Sequence, residues 1–235
     1  MLEFHDFATG SSGNCYLVTN EETKILIECG VKKKDLMRYL MGVGLNISQL
    51  DGCLTSHLHT DHTLSIEYVS DYIDTYSTRE VHNKYNNVIA LESKKPIMIG
   101  TIKVLPIPVE HGSCENYAYI LMDKNSTMFF GTDFSLMSQN VSNFKFNTIL
   151  IECNYDDELI TDTLNNNSEQ HIKYIRQVST HMSKENCKVH LRNMDLSKCE
   201  KIVLLHPSAF LLGKAKTIEE IEQEFKIKTI FAKEK

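Results

Sequence analysis

Short apolar runs along this chain alternate with segments in which apolar residues recur at helical spacing. The apolar runs predict strands, and the helical spacing, as at Leu36, Leu40 and Val43, predicts helices. Strands are expected at 2–7, 15–19, 24–28, 51–55, 73–76, 97–99, 101–108, 116–122, 126–130, 147–151, 201–205 and 228–232, and helical segments at 31–44, 63–72, 79–85, 170–179, 183–193 and 217–225. Strands interleaved with helices in this way are typical of an α/β sandwich.

No low-complexity linker or obvious internal repeat divides the sequence, so we expect a single domain over residues 1–235. One polar region, residues 156–170, is rich in Asn, Asp and Thr and has no strong period. It predicts a loop, and we expect the wider segment at about 156–180 to act as a lid or substrate loop.

Two polar segments near the start of the chain each allow two interpretations. The turn from Thr9 to Asn14 contains two glycines and two serines, so it exposes backbone amides that could receive a phosphate or carboxylate at a site. On that interpretation Ser12 and Asn14 bind substrate. Local sequence alone favours a simple hairpin loop between the first two strands. The basic run Lys32–Lys34 is interpreted as the solvated start of a helix, with a substrate role as the alternative.

The strongest chemical signal lies between strand 51–55 and helix 63–72, in the segment His57-Leu58-His59-Thr60-Asp61-His62. His57 and His59 are expected to share one face, with Asp61 and His62 one turn further on, so two pairs of ligands can face two adjacent points. Imidazole together with carboxylate suits Zn, Mn or Fe better than Ca or Mg. A run of solvated histidines or a tag remnant is the alternative, but tags stand at termini, and neither explains a cluster that follows a hydrophobic strand.

Three further polar residues each follow a predicted strand: His111, Asp133 and His206. A lone histidine after a strand is more often structural than a ligand. Three such residues, expected at the same edge of a sheet, favour a functional site because catalytic groups cluster on loops held by a rigid scaffold. Together with the histidine loop they supply enough ligands for two metal ions.

Composition narrows the class of protein. Hydrophobic residues make up 42% of the chain, which supports a sizeable core. The seven cysteines form no CxxC pair and several lie in apolar runs, which indicates reduced, buried thiols in a cytoplasmic protein. No signal peptide opens the chain, and no apolar run approaches the roughly 18 residues of a membrane span. The net charge of −6 argues mildly against a large nucleic-acid footprint.

The segment "LTSHLHTDH" resembles the metal-binding signature of the metallo-β-lactamase superfamily of hydrolases. The order of Glu28, the histidine loop, His111, Asp133 and His206 is similar to the order of motifs in that superfamily, so the resemblance covers nearly the whole chain. It implies a four-layer αββα sandwich. It also implies two divalent transition-metal ions, with zinc expected first and Mn or Fe as alternatives.

The resemblance also implies a role for each ligand. The first metal would take His57, His59 and His111, and the second would take Asp61, His62 and His206, with Asp133 as a bridge. Glu28 would stabilise the histidine loop without binding metal itself, although the first motif of the superfamily usually carries Asp at this position. A histidine at position 206, rather than a cysteine, is more similar to the phosphodiesterase branches than to the zinc β-lactamases.

Several segments resemble the subgroup named WalJ or YycJ: "FATGSSGNCYLV", "VEHGSCENYAYIL", "LIECNYD" and "THMSKENC". That subgroup is associated with metal-dependent nuclease activity on DNA. Two features depart from it: Tyr155 stands where a His is common, and Asp156 to Val178 lacks the prolines and most of the basic residues expected near a nucleic-acid track.

The resemblance implies phosphodiester hydrolysis by a hydroxide held between the two metals, with Asp61 both binding metal and accepting a proton. His181 and Ser183 would face the substrate, and His181 would act as a catalytic residue that is not a metal ligand; an exposed histidine at a helix start is the alternative. The expected partner is a nucleic acid or nucleotide, no membrane is expected, and a homo-oligomer is left open. His5, His82, His171 and His190 have no motif context and are interpreted as surface or structural residues.

Two other functions stay open. A cyclic or small-nucleotide phosphodiesterase would fit the acidic chain. A lactone, thioester or β-lactam hydrolase of the same fold would act on a non-phosphate ester. A binding module without metal is disfavoured because all seven ligand positions are filled.

Overall fold

The computed structural model describes residues 1–166 and 171–234 of the chain. These residues form two compact units. Unit 1 comprises Met1–Pro108, Cys114–Thr127 and Lys233–Lys235, and unit 2 comprises Val109–Ser113 and Met128–Ala232. No helix in the described part of the chain is long and apolar enough to cross a membrane.

Unit 1 contains a six-stranded mixed sheet in which the strands follow one another in chain order. Its first half is an antiparallel meander, and β3 to β6 pair in parallel. The strands are β1 (Glu3–Ala8), β2 (Cys15–Thr19), β3 (Lys24–Cys29), β4 (Gly52–Leu54), β5 (Thr75–Ser77) and β6 (Val88–Ala90). Because β3 and β4 are parallel neighbours, Glu28 and the segment after Leu54 come to the same edge of this sheet.

Four helices of unit 1 connect or cover these strands: α1 (Lys33–Gly42), α2 (Thr60–Thr63), α3 (Ile66–Ser70) and α4 (Arg79–Lys84). Helix α1 buries Leu36 and Leu40, which are one turn apart, in a core shared with Leu26 and Cys53 of the sheet. The predicted helix at 63–72 is two shorter helices, interrupted at Leu64 and Ser65.

Three more strands follow in unit 1: β7 (Ile97–Ile99), β8 (Ile102–His111) and β9 (Cys114–Met122), where the last three residues of β8 belong to unit 2. Strand β7 pairs antiparallel with β8, and β9 lies beside β8.

Unit 2 is built on four parallel strands in chain order: β10 (Thr127–Gly131), β11 (Thr148–Glu152), β12 (Lys201–Leu205) and β13 (Lys228–Phe231). Strands β10 to β12 are buried almost throughout, as expected for parallel strands covered on both faces. Their carboxyl ends meet at one edge, which brings together the residues that follow Gly131, Ile151 and Leu205. The helices of this unit are α5 (Asp157–Asn166), α6 (His171–Thr180), α7 (Lys184–Arg192) and α8 (Lys214–Phe225).

The predicted loop at 156–170 is wrong over residues 157–166, which form α5; residues 167–170 lie outside the described part of the chain. Polar composition concealed this helix, because only Leu159, Ile160 and Leu164 mark its apolar positions. A lid or substrate role for 156–180 stays a prediction. Strand β6 was not predicted.

Candidate metal centre

The histidine loop leaves β4 at Leu54 and enters α2 at Thr60. The order of strand, loop and helix is as predicted, but the helix begins three residues before the predicted start at 63, so Asp61 and His62 lie within α2. Its first residues are fixed from two sides. The Thr55 amide donates to the carbonyl of Tyr76 at 3.0 Å, and the hydroxyl of Tyr119, a buried residue of β9, donates to the Thr55 carbonyl at 2.7 Å. The loop is therefore attached to neighbouring strands immediately before its first histidine.

The loop arranges its side chains in two pairs. His57 Nε2 lies 2.9 Å from His59 Nδ1, and His62 Nε2 lies 3.5 Å from Asp61 Oδ2. Two nitrogens that bind one tetrahedral zinc at 2.0–2.1 Å would stand roughly 3.3 Å apart. The first pair is close to that spacing, so the donor types and their separation fit a shared metal ion.

The opposite ring nitrogens of His57 and His62 are held by a buried polar cluster. Ser56 Oγ lies 2.9 Å from His57 Nδ1, and Glu28 Oε1 lies 3.3 Å from His62 Nδ1. Glu28 also accepts a hydrogen bond from the Ser56 amide at 3.1 Å. Metal-binding histidines usually have such a partner at the second nitrogen, which fixes the ring and its tautomer. The Glu in place of the expected Asp therefore still reaches the loop.

The turn at Thr9–Asn14 joins β1 to β2, and its last residue packs against the histidine loop. Asn14 is fully buried; its backbone amide donates to the Asp61 carbonyl at 2.8 Å, and its side-chain nitrogen lies 3.1 Å from His62 Nε2. These contacts position the loop, so the predicted substrate role of Asn14 gains no contact that favours it and stays a prediction. Ser12 is exposed in the same turn.

The backbone at Gly30 passes close to the Asp61 carbonyl of the loop. A Cβ at this position would lie 1.6 Å from the carbonyl oxygen of Asp61, so only glycine allows this approach.

Cys114 also lies beside the loop, with its Sγ 3.4 Å from His59 Nε2. Cys114 and Cys199 are partly exposed, so the expectation that the thiols are buried holds for only five of the seven.

In unit 2, His111 ends β8 and its ring is held by the backbone. Its Nδ1 lies 2.7 Å from the carbonyl oxygen of Thr180. Because a carbonyl can only accept, Nδ1 donates this hydrogen bond, and Nε2 is the ring atom that would bind a metal ion.

Asp133 and His206 stand just beyond the carboxyl ends of β10 and β12, and both adopt a positive φ of 51°. Glu28, at the end of β3, has a φ of 61°. Residues other than glycine rarely adopt this left-handed conformation, and such strain clusters at functional sites. His206 Nε2 lies 3.6 Å from Asp133 Oδ1, and the His206 carbonyl accepts from the Asn154 side chain at 2.7 Å.

Glu152 was not singled out in the sequence, and it is central to unit 2. It is fully buried at the end of β11; its Oε2 accepts from the Phe134 amide at 2.7 Å, and its Oε1 lies 2.6 Å from His181 Nδ1. Burial raises the pKa of Glu152, and the neighbouring His181 ring opposes that shift. Ligand atoms of Asp133, Glu152, His181 and His206 all lie within 4.8 Å of one another. The signal available in the sequence was the one used for Asp133: an acid that ends a buried strand.

Other predicted residues have structural contacts. Ser183 is the N-cap of α7 and accepts from the Asn186 amide at 3.2 Å; its predicted substrate role stays a prediction. His190 is buried and its pKa is lowered by burial, and His82 Nδ1 lies 2.6 Å from the Val88 carbonyl. His5 is half-buried on β1. The side chain of His171 lies outside the described part of the chain.

Comparison with known proteins agrees with this geometry. The family model of the metallo-β-lactamase superfamily matches residues 8–90. A crystal structure of the metallo-β-lactamase fold protein YhfI from Bacillus subtilis superposes with a TM-score of 0.78 at 16% identity, covering 99% of this chain and 97% of that one. The family match and the superposition confirm the predicted metallo-β-lactamase fold, an α/β sandwich of two mixed sheets with helices.

Curated relatives narrow the group. "Exodeoxyribonuclease YycJ" of Bacillus anthracis is 25% identical over 172 residues, and "Exodeoxyribonuclease WalJ" of Streptococcus pneumoniae is 25% identical over 174 residues. Each match covers 68% of this chain but 65% of the relative, slightly less than two thirds of its length. These two matches confirm the predicted resemblance to the YycJ/WalJ-like subgroup.

Proposed function

We propose that this protein is a metal-dependent phosphodiesterase, and specifically a nuclease that acts on DNA. The observation that carries the proposal is the cluster at the carboxyl ends of β10 to β12, where Asp133 and His206 stand beside the Glu152–His181 pair. Histidine, not cysteine, occupies position 206. His181, which is hydrogen-bonded to the Glu152 carboxylate, is placed to act as a general acid. The names of the two curated relatives support DNA as the substrate.

The residues present fit two divalent metal ions. Three of the proposed ligands, His57, His62 and His111, are held at Nδ1, and the ligand order along the chain is that of the superfamily. The proposed sets are those implied by the resemblance, namely His57, His59 and His111 for one ion, Asp61, His62 and His206 for the other, and Asp133 for both. When bound, the ions would lower the pKa of a water molecule and offset negative charge on the phosphate. Zinc is the proposed ion, with Mn or Fe as alternatives.

Two side chains of this protein move protons in the proposed reaction. The Asp61 carboxylate accepts a proton from the attacking water. His181, whose Nδ1 is directed to Glu152, donates a hydrogen bond from Nε2 to a phosphate oxygen and gives a proton to the leaving oxygen as its bond to phosphorus breaks, so that the group departs as an alcohol. Glu152 holds the ring in that orientation and stabilises its charged form, as a carboxylate does for the histidine of a catalytic triad.

A second candidate is a phosphodiesterase of cyclic or other small nucleotides. The net charge of −6 favours it, because long nucleic acids bind best to positively charged surfaces. A cytoplasmic location is part of the proposal and is supported by the seven cysteines, none of which forms a disulfide in the described residues. A homo-oligomer is left open.

The experiment is a substrate panel with metal-loaded protein: single-stranded DNA, RNA, cyclic nucleotides, bis(p-nitrophenyl) phosphate and a lactone. We expect the DNA and the model diester to be cleaved and the lactone to react far more slowly. Cleavage of cyclic nucleotides alone would replace the first candidate with the second. Lactone turnover far above that of every diester would overturn the proposal.

A matched pair of variants separates the site from contamination by another nuclease. His206→Ala removes a proposed ligand, and His5→Ala removes a half-buried histidine on β1 that lies outside the site. Diester cleavage should disappear in the first variant and persist in the second. Equal activity in both preparations would assign the cleavage to a contaminant.

A further inference from the structure

Phe210 is the most exposed large hydrophobic residue in the described part of the chain, with 89% of its surface accessible. It lies in the segment Pro207–Leu212, which directly follows His206 at the end of β12. The next two residues, Leu211 and Leu212, are buried, whereas Ala209 before it is exposed. A single exposed apolar residue is ordinary on a protein surface, so the exposure alone does not indicate a binding role. The position of Phe210, shortly after the proposed ligand His206, is the observation that suggests one.

The segment that carries Phe210 is held on both sides. Before it, the Ser208 amide donates to the Asn154 carbonyl at 2.8 Å; after it, the Asp156 amide donates to the Leu211 carbonyl at 2.7 Å. Leu211 packs with Tyr155 and Ile160. The Phe210 ring therefore extends into solvent from a fixed backbone.

The ring is also close to the proposed site along the chain. Phe210 is four positions after His206, and a fully extended chain spans at most about 14 Å over four positions. Asn154 links the two, since its side chain donates to the His206 carbonyl and its carbonyl accepts from Ser208. A nucleotide next to a phosphate bound at His206 is thus within reach of the ring.

Charge does not explain how such a nucleotide would be held. The chain carries a net charge of −6, so its overall field does not attract a polyanion. Stacking of a base on an aromatic ring needs no charge and tolerates any base.

We propose that Phe210 is a base-stacking residue that holds the nucleotide next to the scissile phosphate of a single-stranded nucleic acid. The proposal rests on the phosphodiesterase function proposed above and adds a residue that contacts the substrate.

The first test compares kinetics on two oligonucleotides that differ only in one abasic position next to the cleaved bond. Phe210→Ala should raise KM on the intact oligonucleotide about tenfold, within the range expected for loss of one stacked base. On the abasic oligonucleotide, wild type and variant should have the same KM. Phe210→Tyr should retain the wild-type KM, whereas Phe210→Leu should behave like Phe210→Ala. Retention by Leu, or an equal KM for wild type and Ala on the intact strand, would overturn the proposal.

The second test uses the absence of tryptophan from the chain. Phe210→Trp introduces a single fluorophore at the proposed stacking position, and Met98→Trp places one at an exposed residue of β7 as the control. Titration of the metal-loaded variants with a single-stranded oligonucleotide that has phosphorothioate linkages should quench the first by about half or more and the second little. Equal responses, or none at position 210, would overturn the proposal.

These tests fail separately from the proposed function. If wild type cleaves no diester but the fluorescence of Phe210→Trp is quenched, the catalytic proposal fails and the stacking proposal stands. If wild type cleaves DNA, but Phe210→Ala leaves KM unchanged and the fluorescence of Phe210→Trp is not quenched, the catalytic proposal stands and the stacking proposal fails. A change of oligomeric state in Phe210→Ala, measured by light scattering, would make Phe210 a subunit contact and also overturn the proposal.

Discussion

Each imidazole with a proposed catalytic or metal-binding role in unit 2 is fixed through a hydrogen bond at one ring nitrogen. His111 donates from Nδ1 to the Thr180 carbonyl, and His181 is held at Nδ1 by Glu152. A hydrogen bond of this kind fixes the direction in which the other ring nitrogen points. At the residue scale, the direction of Nε2 therefore determines whether a histidine can bind metal or reach the substrate.

The first prediction concerns His181. In His181→Ala the metal content should stay unchanged while kcat falls on the order of 10²-fold or more, because a general acid is lost. Glu152→Gln should lower kcat in the same direction, since the amide cannot stabilise a charged ring as the carboxylate does. Elemental analysis and single-turnover kinetics measure the two quantities.

His5→Ala is the control for this variant and should keep wild-type kcat. Loss of metal in His181→Ala would make the residue a ligand, and wild-type turnover would leave it without a catalytic role.

The second prediction concerns Gly30. Alanine at this position would bring its Cβ against the Asp61 carbonyl, so the loop backbone must shift. We expect Gly30→Ala to reduce metal content and to lower the free energy of unfolding by about 1–3 kcal/mol. Gly42→Ala is the matched control, because its Cβ would meet no atom within 4 Å. Equal metal content and stability in both variants would show that the contact with Asp61 imposes no constraint.

The local sequence pattern was enough to single out most residues of the candidate site. The residues and conformations that it did not indicate depend on the folded structure. Asp133 and His206 were predicted because each follows an unmistakable apolar strand. Glu152 follows the same rule but was not singled out, since only the fold shows that its side chain turns to His181. The left-handed backbone of Glu28, Asp133 and His206 has no local sequence signal, because the surrounding structure imposes it.

At the scale of elements, Lys184 ties three helices of unit 2 together. It is buried in the first turn of α7, and its ammonium lies 2.7 Å from Asp156, just before α5, and 2.9 Å from Glu220 on α8. Burial alone would lower the pKa of Lys184, but the hydrogen bonds to the two carboxylates raise it above its ordinary value. The ammonium is therefore charged at every pH of interest.

The third prediction is that Lys184→Met lowers the free energy of unfolding by about 3 kcal/mol, because Asp156 is left buried without its cation. Chemical denaturation followed by circular dichroism measures it. Lys216→Met is the control: this lysine is 65% exposed and also pairs with Glu220, so its loss should change stability by less than about 1 kcal/mol.

The same pair predicts a pH dependence. Burial raises the pKa of Asp156, but the hydrogen bonds from Lys184 and from the Glu158 amide outweigh it, so the net pKa is lowered. A lowered pKa contributes stability that is present above the ordinary aspartate pKa of about 3.9 and is lost as pH falls through the lowered value. The stability difference between wild type and Lys184→Met should therefore shrink in acid. A difference that stays constant as the pH falls through the range in which aspartates take up protons would exclude this pairing as its cause.

Helices and strands were predicted correctly where the apolar pattern of the sequence had a single interpretation. The strand at 201–205 matches because a fully apolar run between polar residues has a single interpretation. Helix α5 was missed because its stability depends on contacts with the rest of unit 2, such as the packing of Ile160 against Tyr155 and Leu211, and not on local period.

At the scale of the whole molecule, sequence order predicted the metallo-β-lactamase fold before any geometry, because seven candidate ligand positions in fixed order are highly specific. Substrate choice was less accessible from the sequence, since the proposed stacking residue Phe210 belongs to no motif. The prediction of a single domain over residues 1–235 stays a prediction.

The most direct test of the account is the number of metal ions bound per chain. After loading with zinc and removal of excess metal, elemental analysis of the wild-type protein should give two ions per chain, and His59→Ala should give one. A reproducible value near zero or one for the wild type would contradict the account.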